Sequence, residues 1–144
     1  MSSAFASIQA AIMAELSAAT ALAEGRIYAN RLRPIGAGHS SAIVVRLEQA
    51  TGTEMVIGMV DWQSSYTVEC YGRAATGTDP VASVDTLLTD VWERLSALDF
   101  ATLGAHITLD ARIDWQYDDT ETPLACAVLR LTAQHRTTTP QLTA

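Results

Sequence analysis

The longest regular pattern in the chain is an unbroken alternation of apolar and polar side chains over residues 105–117. Side chains of a β-strand point to opposite faces in turn, so this pattern predicts one strand with a single apolar face. Its residues would span roughly 43 Å, whereas a compact chain of this length is only about 37 Å across. We therefore expect the strand to reach the limit of its domain and to need another chain beside it.

A second alternating segment, residues 123–136, follows a polar turn and predicts the partner strand of a long C-terminal hairpin. A register that pairs Leu109 with Leu131 keeps apolar side chains on one face, and a shift by a single residue would turn one apolar face outward. Apolar, threonine and opposite-charge pairs are favourable cross-strand neighbours. The other pairs predicted by this register are Ala111 with Leu129, Ile113 with Ala127, Thr108 with Thr132, and Asp110 with Arg130.

The outer end of this hairpin is apolar on both faces. Leu124, Cys126 and Val128 fall on the side where the partner strand carries charged residues such as Arg112. A hairpin end of this composition has to be covered, either by loops of the same chain or by another subunit. We predict a subunit contact formed by Arg112, Leu124, Cys126 and Val128.

Two segments show helical periodicity. Apolar residues recur at helical spacing over residues 5–22, after serines that can cap the helix. The second helix has a clearer start, because Asp79 suits the N-cap and Pro80 suits the first helical position. Its apolar stripe continues to Leu98, so we expect this helix to pack on a sheet.

Shorter extended segments lie between the two helices. Alternation predicts strands near residues 43–48 and 65–73, and a turn at Thr51-Gly52-Thr53 separates the first from a short apolar strand over Met55–Val60. Gly58 is a candidate bulge within that short strand. The order of elements predicts an α+β domain with a mainly antiparallel sheet, two helices packed on one face and a long C-terminal hairpin. We expect a single domain over residues 1–136 and a flexible tail over 137–144.

Composition narrows the class of protein. The 49% hydrophobic and 17% charged content is that of a globular domain, and the net charge of −7 argues against a nucleic-acid-binding surface. No apolar run approaches the roughly 18 residues of a membrane-spanning helix. Cys70 and Cys126 are distant from each other and form no metal or redox motif, so we predict buried thiols in a reducing compartment.

No catalytic or metal-binding motif stands out. His39, His106 and His135 are far apart, and the hairpin register sends the last two to opposite faces. We interpret all three as surface residues and expect no shared metal site. The glycine-rich segment 36–40 lacks the lysine of a phosphate-binding loop.

The hairpin turn is acidic, with Asp118, Asp119 and Glu121 close together. The spacing does not follow the pattern of a calcium-binding loop, and such residues in a turn favour solvent. We interpret the cluster as a solvated turn and, as the alternative, as a contact with a basic partner surface. The residues thus indicate no catalytic residue and no metal site.

Four local runs and the order of elements carry a family resemblance over about residues 3–136. The runs are Gly25-Arg26-Ile27-Tyr28 after the first helix, Ser41–Leu47 as the next strand, Tyr66–Tyr71 before the capped helix, and Asp79–Leu98 as that helix, followed by the hairpin with its acidic turn. This arrangement resembles the tail terminator family of long-tailed bacteriophages, the group that includes the minor tail protein U type.

The resemblance implies a subunit, not an enzyme, that needs no cofactor and forms a ring, expected to be hexameric, on a completed tail tube. The ring would stop tube polymerisation and form the head–tail joining surface. Its partners would be further copies of the chain, the tail tube protein and a head-completion or connector protein, with DNA only in transit and no membrane. The protein would reside in the tail or neck of the virion, after assembly in the host cytoplasm.

Two alternatives stay open at this point. One is a different head–tail connector or tail-assembly protein, which would also form rings but at another interface. The other is a small ligand-binding or enzymatic α+β domain that acts as a dimer, because such dimers also bury long hairpins.

Overall fold

One sheet of five strands, in the order β1-β2-β3-β5-β4, organises the part of the chain that is described. This computed structural model describes residues 2–18, 22–30, 40–74, 79–98, 104–118, 123–138 and 141–143. The strands are β1 (Ile27–Ala29), β2 (Ser41–Val56), β3 (Met59–Arg73), β4 (His106–Asp118) and β5 (Leu124–Thr138). Only the β1–β2 pair is parallel among the described pairs. The predicted α+β class, with its mainly antiparallel sheet and long C-terminal hairpin, is confirmed.

Two helices, α1 (Ala4–Ser17) and α2 (Pro80–Ser96), pack on one face of this sheet. Ser3 caps α1 by accepting from the backbone N–H of Ala6 at 3.3 Å, and Asp79 caps α2 by accepting from that of Val81 at 3.0 Å. Their apolar stripes meet the same sheet face in one core. The largest fully buried side chains of that core are Ile8, Ile12, Leu16, Ile43, Val45, Tyr66, Val68, Val84, Val91, Leu129 and Leu131.

Arg94 joins the two helices. Its guanidinium, on α2, donates to the carbonyl oxygens of Leu16 at 3.0 Å and Ala18 at 2.9 Å, and more weakly to that of Glu15 at 3.4 Å. The last carbonyls of a helix have no partner within it, and a cation there also opposes the negative end of the helix dipole. Helix α1 ends at Ser17, because Ala18 has an extended backbone, and this is earlier than the predicted limit of residue 22. The Arg94 contact fixes that end against α2.

The β4–β5 pairing changes register halfway along. His106 to Leu109 pair as predicted with Gln134 to Leu131, but Ile113 then pairs with Leu129. The predicted pairs Ala111–Leu129 and Ile113–Ala127 are therefore wrong, because β4 carries two extra residues at this point. An even number of inserted residues preserves which side chains face the core.

The same irregularity changes the predicted charge pairing. Asp110 accepts a hydrogen bond from the Thr132 hydroxyl at 3.4 Å instead of meeting Arg130. The Arg130 Nε atom lies 3.7 Å from Asp114, which also accepts from the Arg112 Nε at 3.2 Å. Two guanidinium groups on this part of the sheet thus share one carboxylate.

The hairpin between β2 and β3 turns later than predicted. Residues 51–53 lie within β2, and the turn falls at Ile57 and Gly58, where Gly58 has a left-handed φ of +81°. Gly52 permits this extension because the Trp62 ring lies against it, 2.8 Å from the position that a Cβ atom would occupy. The predicted turn at residues 51–53, the separate strand over 55–60 and the bulge at Gly58 are therefore wrong.

Candidate functional site

Strand β4 forms one edge of the sheet, with β5 on one side and no described strand on the other. Its apolar side chains at the end near the acidic turn are Trp115 and Tyr117, which are 37% and 62% exposed. They oppose Ala127 and Ala125 on β5, both fully buried. We call Trp115 and Tyr117 the aromatic edge. A long unpaired strand edge that carries exposed rings is typical of a protein-contact surface.

The second exposed surface is the end of the β2–β3 hairpin. We call Met55, Val56, Ile57 and Met59 the apolar tip. Their exposed fractions are 73%, 50%, 95% and 38%, and every residue from 47 to 57 is exposed. β1 pairs with β2 only as far as Val45, so the outer half of β2 is a second unpaired strand edge.

The two surfaces lie at opposite corners of the sheet. The tip is at the Met59 end of β3, whereas Tyr117 is level, through Ala125, with Gly72 near the other end. β3 spans roughly 46 Å at about 3.3 Å per residue. The surfaces also lie towards opposite edges, because two strands separate β2 from β4.

The predicted contact residues of the hairpin end differ in how accessible they are. Cys126 and Val128 are only 4% and 6% exposed, because they pack with residues of β2 and β3 on the face opposite the helices. Leu124 is half-buried at the border of this small cluster, and the Arg112 side chain is 72% exposed. A neighbour can therefore reach Arg112 and Leu124 directly, and the subunit contact through all four residues stays a prediction.

Of the three predicted partner-contact residues, Asp118 is exposed at the last position of β4. Asp119 and Glu121 lie outside the described residues, as does His39. Within the described part, Asp118 is thus the acidic end of the strand that carries the aromatic edge.

A buried polar network lies beside the small cluster and was not predicted. Glu69 is 9% exposed; it forms an ion pair with the Arg46 Nε atom and accepts from the Tyr71 hydroxyl at 2.6 Å. Burial, with that hydrogen bond, raises the pKa of Tyr71. Arg46 and Glu69 each lie in an otherwise apolar strand segment. Since a buried charge needs a partner, this pattern was the sequence signal for an ion pair. The network holds β2 and β3 together on this face.

Both cysteines are buried free thiols, as predicted. Burial raises the pKa of Cys126 to about 12 and raises that of Cys70 as well. A thiol that stays protonated is a poor nucleophile and metal ligand. Cys70 belongs to the helix-side core and Cys126 to the opposite cluster, so each acts as a small apolar side chain in its own cluster.

His135 is buried, so its interpretation as a surface residue was wrong. It is 6% exposed, and neither ring nitrogen has a hydrogen-bond partner among the described residues. The Phe5 ring meets the imidazole edge-on at a centroid distance of 5.0 Å and the Trp62 ring at 5.2 Å. Burial lowers the pKa of His135. His106, by contrast, is exposed.

We expect the free energy of unfolding to fall as the pH drops from about 7 to 5. The pKa of His135 is lower in the folded chain than in the unfolded one, so unfolding takes up a proton below about pH 6.5, the ordinary histidine value. The stability is present above that value and is lost as the pH falls towards the folded-state pKa. The free energy of unfolding, measured by urea denaturation at several pH values, should depend less on pH in His135→Leu than in the wild type. The same pH dependence in both proteins would contradict this assignment.

A cleft of about 700 Å³ lies between β2, β3, β4 and β5, at the start of β4 and beside the outer part of the β2–β3 hairpin. Its lining includes His106, Gln134 and the pair Arg136–Asp61, whose guanidinium donates to both carboxylate oxygens at 2.5 and 3.0 Å. This pairing raises the pKa of Arg136 and lowers that of Asp61. The Arg136 guanidinium thus already has a carboxylate acceptor within the chain.

The sequence matches no protein-family model and no curated protein. Among the described residues, no group of three or more His, Cys, Asp or Glu side chains could hold a metal ion. None of the helices described has the length and apolar character that crossing a membrane requires. The functional argument therefore starts from the aromatic edge and the apolar tip.

Proposed function

We propose that this chain is a structural subunit of a bacteriophage tail. In this role it closes into a ring, expected to be hexameric, on the end of the completed tail tube, stops tube polymerisation and offers the surface that joins the head. The resemblance in sequence order gives the biological setting. The observation that carries the proposal is the pair of exposed apolar surfaces at opposite corners of one sheet.

The placement of these surfaces favours a ring over a simple pair. A two-fold dimer uses the same surface on both subunits, whereas two different surfaces support a head-to-tail contact. Head-to-tail contacts form a ring when the rotation between neighbours closes on itself. A net charge of −7 on each subunit also suits the passage of DNA, because like charges keep the duplex from adhering.

The proposal sets the partners and the location. The subunit binds further copies of itself, the tail tube protein and a head-completion or connector protein, and meets DNA only in transit. It acts without a cofactor and resides in the tail or neck of the virion after assembly in the host cytoplasm. A different connector or tail-assembly protein would share the ring but would act at another interface.

Native mass measurement and light scattering, with and without cognate tail tubes, test the proposal. We expect a ring-sized species at high concentration or on addition of tubes, and negative-stain images of capped tubes. Removing the aromatic edge with Trp115→Ser and Tyr117→Ser together should weaken association by about thirtyfold, the usual effect of losing a central aromatic contact. The Trp115 ring is only 37% exposed, so the melting temperature should also fall, and association is compared at a temperature where both the variant and the wild type are folded.

Gln116→Ser is the matched control, because Gln116 lies between the two rings but points to the other face. It should assemble like the wild type. A stable dimer that binds a small molecule in the cleft lined by His106 and Arg136 would instead favour the ligand-binding domain. Unchanged assembly of the variant without the aromatic edge would contradict the role given to β4.

A further inference from the structure

His135 is a buried titratable side chain that the proposed function does not use. It is 6% exposed, and both of its ring nitrogens are buried from solvent and lack a hydrogen-bond partner among the described residues. The neutral imidazole has one N–H donor, whereas the protonated ring has two. A buried group without a partner costs free energy, and the cost is greatest when the group is charged. The surroundings of His135 therefore favour its neutral form.

The described side chains around this imidazole carry no charge that could compensate a proton. On the helix side of the sheet its described neighbours are uncharged on every packed element: Phe5 from α1, Trp62 and Ser64 from β3, Ile107 from β4, and Ala133 and Thr137 from β5. The titratable groups next to it in the register, Asp61, Arg136 and His106, lie on the opposite face of the sheet, where Asp61 and Arg136 pair with each other. Burial lowers the pKa of His135.

The first turn of α1 covers His135. We call Phe5, Trp62 and His135 the ring cluster. The half-buried Phe5 ring meets the other two rings edge-on, at centroid distances of 5.0 Å to His135 and 5.2 Å to Trp62. The Phe5 carbonyl oxygen also accepts from the Tyr66 hydroxyl at 3.0 Å, which fastens the turn to β3.

A backbone hydrogen bond fastens the segment 141–143, which has no charged side chain, to the same turn. The Ala4 N–H donates to the carbonyl oxygen of Leu142 at 2.8 Å. The first N–H groups of a helix have no partner within it, so contacts of this kind hold the turn in place. Local openings involve the segments with the fewest buried contacts. The start of α1 and the segment 141–143 can therefore separate from the sheet while its strands stay paired.

We propose that protonation of His135 opens the ring cluster and releases the start of α1 and the segment 141–143 from the sheet. Both nitrogens are buried in the closed form, so the ring takes up a proton when the cluster is open. A proton that binds one form more tightly than the other shifts the population towards that form. The cluster is thus closed above the ordinary histidine pKa and opens increasingly as the pH falls below it.

This inference goes beyond the proposed function, since it concerns the chain before any assembly. Trp62 lies on β3 shortly after Met59 of the apolar tip. Opening of the ring cluster therefore adds the Phe5 and Trp62 rings to the exposed apolar surface at this end of the sheet. The apolar surface that the subunit offers to partners thus depends on pH.

Amide hydrogen exchange of the full chain at several pH values tests the proposal. The amides of Ala4 and Ser7 report on the opening, because they donate to the carbonyl oxygens of Leu142 and Ser3. Corrected for the intrinsic exchange rate, their protection should fall by up to about thirtyfold from about pH 7.5 to about pH 5, the limit set by the ordinary histidine pKa. Low concentrations of urea should leave this fall unchanged, because a local opening exposes little surface. Protection that does not depend on pH, or that falls only together with global unfolding, overturns the proposal.

Variants at His135 and Phe5 separate protonation from packing. His135→Gln and His135→Leu both remove the titrating ring, so the protection of Ala4 and Ser7 should stay constant over the same pH range. Phe5→Leu is the matched control, because it removes the edge contacts but keeps the histidine. Its protection should be about fivefold lower at every pH, with the pH dependence retained. Wild-type pH dependence in either His135 variant contradicts the proposal.

Discussion

Replacing Gly72 with valine should lower the free energy of unfolding by about 3 kcal/mol, the upper range for overpacking a well-packed core. Gly72 lies on β3 directly beneath α2. A Cβ atom there would lie 2.8 Å from the backbone carbonyl carbon and oxygen of Ser83 and 2.6 Å from its hydroxyl oxygen. Backbone atoms of a packed helix cannot move aside alone, so the whole helix would have to shift. Urea denaturation followed by circular dichroism measures the loss.

Gly52→Ala is the matched control for this change. A Cβ atom at Gly52 would also meet neighbours at 2.8 Å, but these are side-chain atoms of Trp62 and Val60 on the outer hairpin. The Val60 side chain can change rotamer, but the Trp62 ring is fixed by a hydrogen bond to Thr137 at 2.8 Å and by its edge contact with Phe5. We therefore expect a cost of about 1 kcal/mol, smaller than that of Gly72→Val because no backbone atoms have to move. A Gly72→Val variant as stable as Gly52→Ala would show that α2 does not need its close approach to the sheet.

Replacing Glu69 with alanine should also cost about 3 kcal/mol. The change leaves the Arg46 guanidinium and the Tyr71 hydroxyl without their shared acceptor in a buried position. Breaking one side of a buried ion pair typically costs about 3–5 kcal/mol, and the partial exposure of Arg46, at 24% of its side chain, places this case at the lower end.

A double-mutant cycle separates the lost pair from the lost packing. Arg46→Met together with Glu69→Leu should be clearly less destabilising than the sum of the single changes, since no charge is then left buried. Asp61→Ala removes a carboxylate from the exposed pair with Arg136 and should leave the unfolding midpoint nearly unchanged. Strict additivity of Arg46 and Glu69 would mean that the two side chains do not act as a pair.

Much of the fold follows from local patterns in the sequence. The Asp79–Pro80 start fixes α2, and alternation correctly assigns the core face of β4, where Leu109 and Ile113 contact the main core. Such patterns do not predict the register change within β4, because a shift by two residues leaves each side chain on the same face of the sheet. They also do not predict where the β2–β3 hairpin turns, because Gly52 makes room for the Trp62 ring on the neighbouring strand and does not form the turn.

The candidate site was predictable only in part. The predicted contact lay on the other side of the hairpin, at Arg112, Leu124, Cys126 and Val128, and Trp115 and Tyr117 were not singled out. The apolar tip had the composition of a buried strand. The burial of Cys126 and Val128 depends on β2 and β3 packing around them, which local spacing does not reveal. His135 lies on the same side of the alternation as Leu131, which indicates burial. Histidine is usually exposed, however, and the residue was therefore interpreted as a surface residue.

The position of β5 has a consequence for how the protein reaches its native state. This strand follows the other described elements along the chain, yet it lies between β3 and β4 and pairs with both. A nascent chain that has not yet reached residue 124 can form the β2–β3 hairpin but exposes the apolar faces of β3 and α2. The domain therefore completes its core only after synthesis of residues 124–138, and non-local strand pairing of this kind is slow and prone to aggregation. During synthesis these faces are where chaperones would bind.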